Sequence, residues 1–246
     1  MNKLSASLLI LSMAAAPTWA SGTVDVYMNG AAQPKTLTDA AHLIDLVEQP
    51  RLANSWWPGA VMASQPQTAV ARQQQQMLLS RLAALAARKD GDDAAAINAL
   101  RQQLQAVRVV GRQFISLDPD RVRAGQLNNP PLEGKYSLWV GAQPGTVTLF
   151  GLISRPGKVA FTPGRDIANY LDDVSLLSGA GRSYAWVIYP DGRTEKAPVA
   201  YWNKRHIEPM PGSTIFVGFA DSLWTKQYDT LNADVLRALT QRIPEA

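Results

Sequence analysis

Between Thr146 and Phe219 the chain alternates short apolar runs with turns that contain Pro or Gly, and this punctuation leaves few folds open. Thr146-Val147-Thr148-Leu149-Phe150-Gly151-Leu152-Ile153 is an extended run with β-branched residues, stopped by Arg155-Pro156-Gly157. Gly164-Arg165-Asp166 leads into a short helical pattern in which Ile167, Tyr170 and Leu171 share one face. Ala185 to Tyr189 reads as a strand, Pro190-Asp191-Gly192 as a hairpin turn, and Arg193 to Val199 as the return. Pro211-Gly212-Ser213 then turns the chain into a last strand, Ile215 to Phe219. The order predicts a small α+β unit of the β-grasp kind, a curved sheet gripping one helix. Such a fold assigns no chemistry by itself.

The beginning of the chain echoes this unit. Gly22-Thr23-Val24-Asp25-Val26-Tyr27 matches Gly145-Thr146-Val147-Thr148-Leu149-Phe150, and an amphipathic segment follows each, Ala41 to Val47 and Asp166 to Leu171. The ends match too: Pro131-Leu132-Glu133-Gly134 with Leu138-Trp139-Val140-Gly141 parallels Pro209-Met210-Pro211-Gly212 with Ile215-Phe216-Val217-Gly218. Agreement at both ends in the same order predicts two tandem β-grasp domains, residues 21–141 and 142–220.

The first copy is longer because of an insertion. Val70, Met77, Leu78, Leu82 and Leu85 recur at helical spacing, and so do Ile97, Leu100, Leu104 and Val107. Gly91 and Asp92 between them suit a helix end and a helix cap. An αα-hairpin is expected over about residues 67–107. Stripes of this width ordinarily face each other and their own domain; the alternative is a groove or helix offered to a partner. In the last segment, residues 221–246, Tyr228, Leu231, Val235, Leu239 and Ile243 fall at steps of three or four, predicting an amphipathic C-terminal helix. Its balanced charges argue against a helix that lies on anionic lipid.

Residues 1–20 read as a secretory signal, with Lys3 ahead of an apolar run from Leu4 to Ala16 and the cleavage pattern Thr18-Trp19-Ala20. The mature chain is therefore expected to be soluble and exported, without a membrane span. It has no cysteine, so packing rather than disulfides must hold it, and thiol catalysis and cysteine metal sites are excluded. Its two histidines, His42 and His206, exclude a multi-histidine zinc site. Lys and Arg number 24 against 20 acidic residues; the net charge of +4 becomes +3 when Lys3 leaves. These charges are scattered, no nucleic-acid module is present, and the balance supports at most a modest attraction to anionic polymers. There is no G-x-S-x-G elbow, P-loop or His-Glu-x-x-His, and Gly179-Ala180-Gly181 lacks the third glycine of a dinucleotide fingerprint. Asp118-Pro119-Asp120 opens like a calcium loop, but Val122 occupies the next ligand position, so a capping role is expected. No metal and no cofactor are expected.

Three places suit a ligand. Gly111-Arg112 with Asp118 and Asp120 lies where the helical hairpin rejoins the sheet; a guanidinium among Val109, Val110, Phe114 and Ile115 needs either a ligand or an internal carboxylate. Tyr201-Trp202-Asn203-Lys204-Arg205-His206 sets an aromatic pair beside a cationic trio, which suits acidic sugars, although the ordinary reading puts Trp202 in the core beside a solvated turn. Trp56-Trp57-Pro58-Gly59 reads as a core plug.

These stretches, with Arg51-Leu52, Leu117-Asp118-Pro119-Asp120, Asn129-Pro130-Pro131-Leu132 and Trp202 to Pro209, resemble the group 4 capsule GfcC family over essentially the whole chain. The resemblance implies a periplasmic protein with two β-grasp domains similar to the soluble ligand-binding β-grasp (SLBB) domains of polysaccharide export channels. It implies an inserted helical hairpin, a C-terminal amphipathic helix, and a non-enzymatic role in assembling or exporting capsule or exopolysaccharide. Its partners are then polysaccharide or the outer-membrane export machinery. On this reading Arg112 meets a ligand carboxylate, and Trp202, Lys204, Arg205 and His206 face a saccharide. The rivals are a carbohydrate-active enzyme using Asp118 and Asp120, and a protein-interaction module docking the export channel through a helix.

Overall fold

The computed structural model describes residues 22–125, 129–220 and 227–244. The expected secretory signal, and residues 221–226 and 245–246 of the expected C-terminal helix, lie outside them.

The N-terminal half runs β1 (Gly22–Met28), β2 (Lys35–Ala40), α1 (Leu43–Val47), β3 (Val61–Ser64), α2 (Gln65–Ala86), α3 (Gly91–Ala106), α4 (Pro119–Arg123) and β4 (Lys135–Val140). The C-terminal half runs β5 (Thr146–Gly151), β6 (Gly157–Ala160), α5 (Ile167–Leu171), β7 (Tyr184–Ile188), β8 (Thr194–Pro198), β9 (Thr214–Val217) and α6 (Gln227–Thr240). The result is a mixed α+β molecule with two sheets, ordered β2-β1-β4-β3 and β6-β5-β9-β7-β8.

The two sheets share their connectivity. In each, the first strand pairs antiparallel with the second and parallel with the last, as β1 with β4 and β5 with β9. A helix of five residues follows the second strand in both halves. Alternation decides which side each sheet buries. Val24 and Val26 of β1 and Leu138 and Val140 of β4 point to α1, where Leu43, Leu46 and Val47 complete one core. Leu149, Val187 and Ile215 form another with Ile167 and Tyr170 of α5, while Phe150 and Phe216 are buried on the opposite face of that sheet.

The helical hairpin departs from expectation in what it covers. Leu78, Leu82 and Leu85 of α2 and Ile97, Leu100 and Leu104 of α3 belong to the core of the C-terminal sheet, together with Leu231, Val235 and Leu239 of α6. An insertion in the first half thus packs on the second. The buried stripe is also rotated from the one expected: Ala71 and Gln75 lie inside, whereas Val70 and Met77 are exposed. The Gln75 side chain explains the rotation, because its amide donates to the carbonyls of Leu104 (2.9 Å) and Val107 (2.7 Å) and so ties α2 to the end of α3. Arg81 of α2 pairs with Asp234 of α6 at the rim. Among the described residues no helix is long and apolar enough to cross a membrane.

Candidate functional site

Where the two sheets approach, a cleft of about 1210 Å³ opens against the base of the hairpin. One wall comes from the outward face of the N-terminal sheet. Parallel pairing puts Tyr27 directly beside Trp139, and their rings stack with centroids 5.1 Å apart and 7° between planes. Trp139 is backed by Val61, Ala63 and Val110, buried between the sheets. At the rim, Asn29 takes a positive φ of 48°, and its side-chain Oδ1 accepts the Ala142 amide at 3.0 Å, which joins the β1 turn to the exit of β4. Trp56 also lines the cleft, with its ring laid over Gly59 so closely that a Cβ there would meet it at 2.4 Å. Trp57 packs on the N-terminal core, so the aromatic turn is divided between core and cleft.

The floor holds Arg112. Gly111 has room for no side chain, since a Cβ would sit 2.2 Å from the Gln67 backbone carbon; its amide donates to the Thr68 hydroxyl at 3.0 Å. This close approach to the first turn of α2 aims the next side chain across the gap between the sheets. The Arg112 guanidinium donates to the Pro190 carbonyl (2.7 Å), in the turn between β7 and β8, and to the Thr240 carbonyl (3.4 Å), at the end of α6. A cation at a helix C-terminus also complements the helix dipole. Only 6 % of Arg112 is exposed. Burial pushes its pKa down to about 10, with Asp191 acting in the opposite sense, so it remains cationic at neutral pH. Gly192, at φ 90°, makes room for it: a Cβ would meet Phe114 at 2.8 Å and the guanidinium carbon at 3.2 Å.

Arg112 therefore binds backbone carbonyls, and neither Asp118 nor Asp120 is its partner. Asp118 caps α4 by accepting the amides of Asp120 (3.0 Å) and Arg121 (3.4 Å). Asp120 pairs with Arg123 at 3.2 Å, and Arg123 also reaches Glu48 at 2.9 Å. Four more cations line the cleft, Arg72, Arg108, Lys158 and Arg242. Arg242 donates to the carbonyls of Leu239 and Gly212. None of the described lining residues is Asp or Glu.

The aromatic-cationic stretch forms a separate surface. Contrary to the core placement expected for it, Trp202 is 73 % exposed, and Tyr201 is fully so. Asn203 braces the turn beneath them: its side-chain oxygen accepts the Ala200 amide (3.0 Å) and its nitrogen donates to the Ser183 carbonyl (3.1 Å). Lys204 and His206 remain exposed but are tethered to a buried acid. Asp166, which caps α5 through the Asn169 amide, lies 3.3 Å from the Lys204 ammonium and 3.8 Å from His206 Nδ1. His206 Nε2 meets Glu208 at 2.7 Å, and Lys204 donates to the Asn169 side chain at 2.6 Å. Arg205 is exposed.

Fold and site together define a two-sheet α+β protein whose halves enclose a basic, aromatic-walled cleft. The chain belongs to the GfcC capsule-biosynthesis family: residues 20–143 match the profile described as "Capsule biosynthesis GfcC, N-terminal" and residues 155–244 the one described as "Capsule biosynthesis GfcC C-terminal". It is 68 % identical over 237 residues to the Escherichia coli (strain K12) protein YjbG, a relative described as uncharacterized, covering 96 % of this chain and 97 % of that one.

Proposed function

We propose that this is a non-enzymatic periplasmic accessory protein of capsule or exopolysaccharide assembly or export, and that the cleft between its sheets holds glycan. The observation that carries the reading is the Tyr27–Trp139 wall above the buried Arg112 cation, in a cleft whose described lining has no carboxylate. Aromatic side chains suit the apolar C–H surfaces of sugar rings, whereas glycoside cleavage ordinarily uses a facing pair of carboxylates. The acids that best suited an enzyme, Asp118 and Asp120, are engaged in a helix cap and an ion pair.

In this reading the two sheets are tandem β-grasp domains of the SLBB kind, about residues 21–141 and 142–220. Their shared connectivity and membership of a capsule-biosynthesis family support it. The exported state rests on the signal pattern of residues 1–20. Trp202, with Arg205 and the anchored Lys204 and His206, is a second saccharide-facing surface. Exopolysaccharide purified from bacteria that carry the protein is expected to raise the melting temperature of the mature chain. An unchanged melting temperature and an unchanged NMR spectrum at saturating polymer would remove direct glycan binding.

A further inference from the structure

We infer that the cleft is selective for an acidic glycan, a run of sugars bearing carboxylates of the uronate type, with its anionic groups on the cationic side chains and its ring faces on the aromatic wall. The inference rests on the reading of the cleft as a glycan site and specifies the chemistry of what it takes.

Charge distribution is the first ground. The chain holds 24 basic and 20 acidic residues, a near balance. The cleft does not share it: Arg72, Arg108, Arg112, Lys158 and Arg242 line it, and among the described residues no acid does. Charge of one sign inside a concave surface with low-dielectric walls focuses the potential there far beyond what the net charge provides.

Arg112 supplies the second ground. Its bonds to the Pro190 and Thr240 carbonyls orient the guanidinium and leave its charge in place, and among the described residues it forms no ion pair with a carboxylate. Its two acceptors are neutral, Asp191 offsets part of its charge, and a buried cation attracts an anion more strongly than a solvated one. The third ground is size and spread. The cleft exceeds the roughly 300–1,000 Å³ of a single small-molecule pocket. Its lining extends from Tyr27 and Trp139 on the N-terminal sheet to Thr146 and Thr148 on the C-terminal one, a span that suits a polymer with repeated charges better than one compact anion.

Calorimetric titration of the mature protein tests this with three probes: hexagalacturonate, neutral maltohexaose and hexaglutamate. Hexagalacturonate is expected to bind, and more weakly as salt is raised. The Arg72→Gln/Arg108→Gln variant, which changes two exposed side chains and should keep its melting temperature, is expected to bind it about tenfold more weakly, a loss of about 1.4 kcal/mol. Equal binding of maltohexaose overturns acidic selectivity and leaves the glycan reading standing. Equal binding of hexaglutamate overturns it in favour of charge alone. Unchanged affinity in the double variant removes the cleft as the anion's site, and binding of neither sugar removes the glycan reading as well.

Discussion

Arg112 joins parts of the chain that no local pattern connects. Its carbonyl partners lie 78 and 128 positions along the sequence, at Pro190 and Thr240. The sequence marks Arg112 as unusual because Val109 and Val110 beside it are apolar and, in the structure, buried; it contains nothing that identifies the acceptors. The same holds for Asn232, a polar residue buried in α6, where its side chain accepts the Phe219 amide (2.9 Å) and donates to the Phe219 carbonyl (3.0 Å). Gly218 has to be glycine there, since a Cβ would come within 2.4 Å of the Asn232 oxygen. Trp202 shows the converse: an aromatic side chain next to charged ones reads equally as core or surface, and only the brace by Asn203 puts it outside. Replacing Arg112 by Ala leaves acceptors unpaired between the sheets, which costs about 1–3 kcal/mol. Urea unfolding at neutral pH should show that loss in Arg112→Ala. An unchanged midpoint would mean that the two bonds do not hold the sheets together.

At the scale of elements, the short strands and turns are legible because their signals are local. Pro190-Asp191-Gly192 forms the expected hairpin turn, with the Gly192 amide on the Tyr189 carbonyl at 2.9 Å and φ 90° at Gly192. The helical hairpin is legible as a hairpin, with α2 and α3 close to their expected limits. Its destination is not, because an apolar stripe states that something covers it and not what. Leu82 is fully buried among side chains from the hairpin, the C-terminal sheet and α6. Leu82→Ala is accordingly expected to cost about 2–5 kcal/mol. Because that core is common to an insertion in one half and the sheet of the other, thermal unfolding should remain a single transition at a lower temperature. Separation into two transitions by calorimetry, one of them unshifted, would contradict the shared core.

For the whole molecule, the duplication is legible because matching strings open and close both halves, and the sheets accordingly share the pairing of first strand with last. The cleft is not legible in advance. Tyr27 and Trp139 alternate with buried Val26 and Leu138, so their side of the sheet follows from the sequence, but what faces them depends on where the hairpin holds the second sheet. The central claim is that this space, rather than the Tyr201–Trp202 turn, receives the ligand. Hydrogen–deuterium exchange of the mature protein with and without hexagalacturonate tests it most directly. The account predicts slower exchange in residues 27–32 and 139–144, at the cleft rim. Unchanged exchange there, or protection confined to residues 199–206, would contradict it.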